Sequence, residues 1–282
     1  MKQISSKFFL IVLLIAFGCL CMQAKDVIKI LAIGNSFSED AIEQYLYELA
    51  AANGDSLVIG NAYIGGSSLQ LHRSNIDNNA AAYSYRKIVG GTKTTSPDKV
   101  TLQSCIDDEP WDYITVQQAS PFSGIDSTYR HLPMVIAFVK QTAKNPNLEI
   151  LFHQTWAYAQ QNSHTGFANY NNDQKKMYKA IIKTVKKQAK KNKIKRIIPA
   201  GTAIQNGRTS SLGDNFCRDG YHLSLSLGRY TAACVWLEIF TGKSSLGNAY
   251  VPNGVSAQEA KIVQAAAHYA VQKPHKVTSM SK

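Results

Sequence analysis

Two hydrophobic rhythms alternate along the chain. Short runs rich in β-branched residues read as strands, and longer stretches carry apolar residues every three or four positions. Val27 to Ile33 is the first such run, ended by Gly34-Asn35-Ser36. Ser56 to Tyr63 is the second, ended by Gly65-Gly66, and Tyr113 to Gln117, Glu149 to His153 and Lys195 to Pro199 read as three more. After the first strand, Ile42, Tyr45, Leu46 and Leu49 form the stripe of a helix. Ser38 is placed to cap it, Glu39 and Asp40 suit its positive end, and Asn53-Gly54 stops it. Further helical patterns cover about 130–144, 173–191, 224–241 and 256–272. Alternating βα units predict a parallel sheet of about five strands with helices on both faces, a three-layer α/β/α sandwich. Residues 72–100 break the rhythm. The alternation through Tyr83, Tyr85, Lys87 and Val89 and the Gly90-Gly91 turn predict a small hairpin insertion there. No repeat, linker or boundary interrupts residues 25–282, which are expected to form a single domain.

The first residues follow a different logic. Lys2 and Lys7 frame the start of a 13-residue apolar run, Phe8 to Leu20, short of the roughly 20 residues that cross a bilayer. This predicts a secretory signal peptide over 1–24, cleaved after Ala24, with Cys19 as a lesser, lipid-anchored alternative. The expected location is therefore secreted, periplasmic or cell-envelope. The chain has 282 residues, 45% hydrophobic and 18% charged, which excludes intrinsic disorder. Its net charge of +12 does not signal nucleic acid. Eleven basic residues fall between Lys175 and Arg196, interleaved with the stripe Tyr178, Ile181, Ile182, Val185 and Ala189. They are the solvated face of one helix, suited at most to anionic glycans or membrane surfaces. Beyond the leader's Cys19 and Cys21, Cys105, Cys217 and Cys234 have neither disulfide-framework nor zinc spacing, so no metal is expected.

In open parallel sheets ligands bind beyond the carboxyl ends of the strands. Ser36 sits there on a tight turn, either as a nucleophile or as an ordinary turn serine. Gly65 and Gly66 follow strand two, where glycine lets a backbone N–H approach a substrate. Gln117 and Gln118 follow strand three, with amides able to donate to an oxyanion. Trp156 and Tyr158 follow strand four, as sugar-stacking rings or as core cover. The strongest local signal is Asp219-Gly220-Tyr221-His222. A nucleophilic serine needs a base, and the base needs an acceptor that fixes its tautomer. Among the seven histidines His222 alone has such an Asp; His131, His153, His164, His268 and His275 read as packing or surface residues, and His72 stays open.

Taken in order, Gly34-Asn35-Ser36, Gly65-Gly66 and Asp219-x-x-His222 resemble the SGNH hydrolases, also called GDSL esterases/lipases. The resemblance covers about 27–242. Gly34-Asn-Ser-Phe-Ser, Trp111-Asp-Tyr-Ile-Thr-Val-Gln-Gln and Asp219-Gly-Tyr-His-Leu-Ser-x-x-x-Gly-Arg-Tyr are similar to a secreted branch found in gut Bacteroidetes. The resemblance implies a flavodoxin-like α/β/α fold and hydrolysis of esters, often acetyl groups on carbohydrates, without a cofactor. By the same resemblance Ser36 is the nucleophile, His222 the base and Asp219 its orienter. The oxyanion donors are the N–H of Ser36, that of Gly65 or Gly66, and Gln117 or Gln118. Two departures stand out. Asn35 replaces the family's Asp, and Val116-Gln117-Gln118-Ala119-Ser120 replaces the Gly-x-Asn-Asp block. The other reading is a glycan-binding protein on the same fold without catalysis.

Overall fold

The computed structural model describes residues 27–280; the expected signal peptide, with Cys19, lies outside the described residues. The strands are β1 (Ile28–Gly34), β2 (Leu57–Tyr63), β3 (Ser84–Val89), β4 (Thr92–Thr95), β5 (Tyr113–Val116), β6 (Glu149–His153) and β7 (Ile197–Ile198). They form one sheet in the order β4-β3-β2-β1-β5-β6-β7. The five strands from β2 to β7 through the centre are parallel. The 72–100 segment is more than an insertion, because β3 pairs antiparallel with β2 and β4 with β3, extending the sheet to seven strands. Lys93 and Thr92 to Thr95 are exposed, as befits an edge strand.

The helices are α1 (Ser36–Ile42), α2 (Leu46–Ala52), α3 (Leu69–Asp77), α4 (Leu102–Asp107), α5 (Leu132–Thr142), α6 (Gln174–Lys191), α7 (Ala200–Gly207), α8 (Leu227–Thr241) and α9 (Ala257–Gln272). Their mutual packing sorts them into two layers. One holds α1, α2, α7, α8 and α9, and the other is built on α3, α4 and α5 with α6 beside them. β1 lies between the layers and is buried on both faces, with Ile30, Leu31 and Ala32 inaccessible, as central parallel strands require. No helix among the described residues is long and apolar enough to cross a membrane.

Two local expectations are corrected. The helix after β1 is two helices, because Tyr45 takes a left-handed conformation (φ 69°) between them. Its cap is Asn35, whose Oδ1 accepts the Phe37 N–H at 2.9 Å. Ser38 instead donates from its buried hydroxyl to the Asn35 carbonyl at 2.7 Å.

Candidate active site

β1 stands where the chain reverses direction across the sheet, with β2 on one side and β5 on the other. The crevice beyond their carboxyl ends is where such sheets bind ligands. Ser36 begins α1 there. Its Oγ lies 2.8 Å from His222 Nε2, and His222 Nδ1 lies 2.6 Å from Asp219 Oδ2. With the Nδ1 proton donated to the carboxylate, Nε2 is left to accept the serine hydroxyl proton. Residues 186 positions apart in the chain thus meet at hydrogen-bond distance.

Asp219 holds the histidine at both ends. Its Oδ1 accepts the backbone N–H of His222 at 2.8 Å and of Tyr221 at 3.1 Å while Oδ2 takes the ring. Partial burial pushes its carboxyl pKa up, but the hydrogen bonds from the His222 ring and from these two N–H groups outweigh that and hold it below the ordinary value. Gly220 supplies the turn between them with φ +89°, a conformation a side chain would strain.

The loop carrying these residues is tied to α1. Asp40 is wholly buried and accepts from Arg218 (3.0 Å), from Arg229 (2.6 Å) and from the Leu223 N–H (2.7 Å). Helix α1, which Ser36 begins, therefore grips the residues on either side of His222. From the other direction, Trp156 Nε1 donates to the Tyr221 carbonyl at 2.7 Å, and Ala159 N–H donates to Gly220 at 2.7 Å.

A second network fixes the turn before Ser36. Asn35 donates from Nδ2 to the Ser67 carbonyl at 2.9 Å, and its Oδ1 accepts from Gln117 Nε2 at 2.7 Å. That orients the Gln117 amide so that its Oε1 accepts from His153 Nδ1 at 2.6 Å. Ser67 donates its hydroxyl to the Gly34 carbonyl at 3.0 Å. His72 Nε2 must then donate to Ser67 (3.1 Å), and its Nδ1 accepts from Tyr83 (3.0 Å). Burial drives the pKa of His72 down to about 4 and that of His153 to about 3, so both are neutral as these bonds demand.

The sequence-derived candidates divide at this point. Ser36, His222, Gly65 and Gly66 line one cleft of about 360 Å³. The backbone N–H groups of Ser36, Gly65 and Gly66 find no hydrogen-bond acceptor among the described residues. Gln117 and Gln118 do not line the cleft. The first is spent on Asn35 and His153. The second accepts from Leu69 N–H and Ala119 N–H and donates to the Thr128 carbonyl. The expectation that one of them donates to an oxyanion is therefore corrected: their amides hold loops together. Trp156 and Tyr158 are also corrected, because both are inaccessible. Trp156 stacks on Phe37 at 4.2 Å and Tyr158 bonds Ser120 Oγ at 2.8 Å, so neither offers a face to a sugar. Besides His222, the aromatic residues lining the cleft are Phe37, Tyr63, His164 and Tyr221. Tyr221 packs on the His222 ring at 4.1 Å. His164, read from sequence as a packing or surface residue, has no flanking acid that would have singled it out.

Residues 29–270 match a family model described as a domain of unknown function, DUF4886. The chain belongs to the DUF4886 family. A crystal structure of a DUF4886 family protein from Bacteroides uniformis is 51% identical, covers 90% of this chain and 98% of its own, and superposes with a TM-score of 0.88. A candidate SGNH hydrolase from Slackia heliotrinireducens shares 18% identity over 76% of this chain and 98% of its own, at a TM-score of 0.51. That degree of likeness shows a common α/β fold. No curated protein matches the chain.

Proposed function

We propose that this DUF4886 protein is a serine ester hydrolase that removes short acyl groups, acetyl above all, from carbohydrate esters. The observation that carries the reading is the run Ser36 Oγ, His222 Nε2 and Nδ1, Asp219 Oδ2, closed by contacts of 2.8 and 2.6 Å at the wall of an open cleft. Ser36 attacks the ester carbonyl as His222 takes its proton. Asp219 keeps the imidazole in the productive tautomer and stabilises its cation. The oxyanion meets the backbone N–H of Ser36 and of Gly65 or Gly66, donors already in place before charge develops. Collapse of the intermediate expels the alcohol with the proton from His222, and water then releases the acid by the same steps. Tyr63, with Arg86 over one face of its ring at 3.7 Å, and Tyr221, packed on His222, give the cleft an aromatic lining that suits the apolar face of a sugar ring.

The supporting experiment is hydrolysis of 4-nitrophenyl acetate and of an acetylated xylo-oligosaccharide by the mature protein. Wild type is expected to turn over both, and Ser36→Ala neither. Turnover retained in that variant refutes the mechanism. We also propose export, on the strength of Lys2, Lys7 and the apolar run to Leu20. Material from the native host should begin near Lys25, and recovery of intact Met1 in the cytosol overturns that.

A further inference from the structure

Two loops wall the Ser36 cleft, one through Gly65 and Gly66 and the other through Ala119, Ser120 and Pro121. The next residues of the same loops, Ser68 and Gln118 with Phe122, line a second cavity of about 290 Å³. Its far wall is Thr128, Arg130 and His131. No acidic residue lines it. Asp126, the closest acid along that segment, is already held by Lys187 Nζ at 2.8 Å and Gln188 Nε2 at 2.7 Å.

Arg130 has no ion-pair partner among the described residues. Its Nε donates to His131 Nε2 at 3.0 Å, and the two terminal nitrogens carry no protein hydrogen bond among the described residues. A planar fork of that kind matches a carboxylate with two parallel hydrogen bonds. Phe122, 39% exposed in the same cavity, offers an apolar face beside it. The positive sign continues outward. Helix α6 packs against this segment through Thr184, which donates to the Gly124 carbonyl at 2.9 Å, and turns its lysines to solvent. Such a field concentrates a polyanion near the cavity.

We propose that this cavity is a subsite for the carboxylate of an acidic sugar, so that the substrate is an acylated, uronate-containing glycan. The acylated residue lies in the Ser36 cleft, and a uronate of the same chain reaches over the 65–68 and 118–122 loops to Arg130. The inference rests on the reading of Ser36 as a nucleophile, yet its test does not need turnover.

The test is calorimetric binding of an unesterified oligogalacturonide to the full mature protein, with a neutral xylo-oligosaccharide of equal length alongside. Oligogalacturonide is expected to bind wild type more tightly than the neutral sugar, and to weaken about tenfold or more in Arg130→Ala. Arg130→Lys should restore part of that loss, since a lysine keeps the charge but not the fork. Arg130 is exposed, so these variants are expected to keep the wild-type melting temperature. The proposal is overturned if oligogalacturonide fails to bind wild type or binds Arg130→Ala equally well. It is also overturned if the neutral sugar loses as much affinity in that variant, or if a sulfated oligosaccharide is strongly preferred. None of these outcomes depends on whether Ser36 is reactive, which ester hydrolysis decides separately.

Discussion

Replacing Asp40 tests whether the fold and the site are one construction. Its carboxylate is wholly buried between Arg218 and Arg229 and also accepts the Leu223 N–H. Asp40→Ala takes the 2.6 Å carboxylate from the Arg229 side chain, 8% exposed, leaving it Gln44 Oε1 at 2.7 Å and Glu39 at 3.8 Å, while Arg218, 34% exposed, recovers part of its solvation. Breaking a buried pair from one side typically costs about 3–5 kcal/mol. With one of the two arginines partly solvated, the lower end, about 3 kcal/mol, is expected. In a chain of this size that lowers the melting temperature by about 6–12 °C. The kinetic consequence comes from geometry. Arg218 and Leu223 flank the Asp219–His222 turn, so releasing them lets the imidazole drift from Ser36, and misplacement by about 1 Å can reduce turnover about 10²-fold. Thermal unfolding and kcat for an acetyl ester, measured on the same preparation, check both. A variant that melts within about 2 °C of wild type and keeps its kcat refutes the claim that α1 holds the loop through Asp40.

Other expectations follow from the same geometry. His222→Ala should lose about 10²–10⁴ in kcat, approaching Ser36→Ala, whereas Asp219→Ala should be partial because it only orients the base; steady-state kinetics on 4-nitrophenyl acetate rank them, and an Asp219 variant as inactive as the serine one contradicts the assignment. Gln117→Ala leaves His153 Nδ1–H unsatisfied, so it should lose about 1–3 kcal/mol of stability with only a mild drop in kcat. A 10²–10³-fold loss in kcat at unchanged stability would place that amide in the oxyanion hole after all. His72 and His153 are buried neutral, with pKa values depressed to about 4 and about 3, so the unfolded chain binds protons that the native chain refuses. Their contribution is intact above the unfolded histidine value of about 6.5 and is lost as pH falls from there toward the folded values, at up to about 1.4 kcal/mol per histidine per pH unit. Melting temperatures from pH 7 to pH 5 should therefore fall, more shallowly in His153→Gln, and a flat profile in wild type contradicts the buried neutral state.

Local pattern carried the parallel strands well, since each is a short, largely apolar run that a central sheet position demands. It also carried α6, α8 and α9, and the Asp219-to-His222 spacing, because an acid three residues from a histidine can close a ring contact without help from elsewhere. What it could not carry was decided at long range. Asn35 and Ser38 are both ordinary capping residues, and the choice of Asn35 depends on Ser67 and Gln117, 32 and 82 positions away. Trp156 and Tyr158 follow β6 where a ligand-facing residue would, but Phe37 and Ser120 claim them. Helix α7 is only eight residues long and buried on every side, its polar residues Thr202, Gln205 and Asn206 bonded to distant parts of the chain, so no apolar stripe against a solvated face marked it. Tyr63 and Tyr221, which line the cleft in place of Trp156 and Tyr158, were not singled out by the sequence.

The most direct measurement is mass-spectrometric mapping of the mature protein after reaction with a fluorophosphonate, which captures a serine activated by a neighbouring base. The geometry of Ser36, His222 and Asp219 predicts a single adduct, on Ser36, whose formation slows sharply in His222→Ala. An unmodified Ser36 under conditions that label a serine esterase, or labelling at the same rate without His222, would contradict the account.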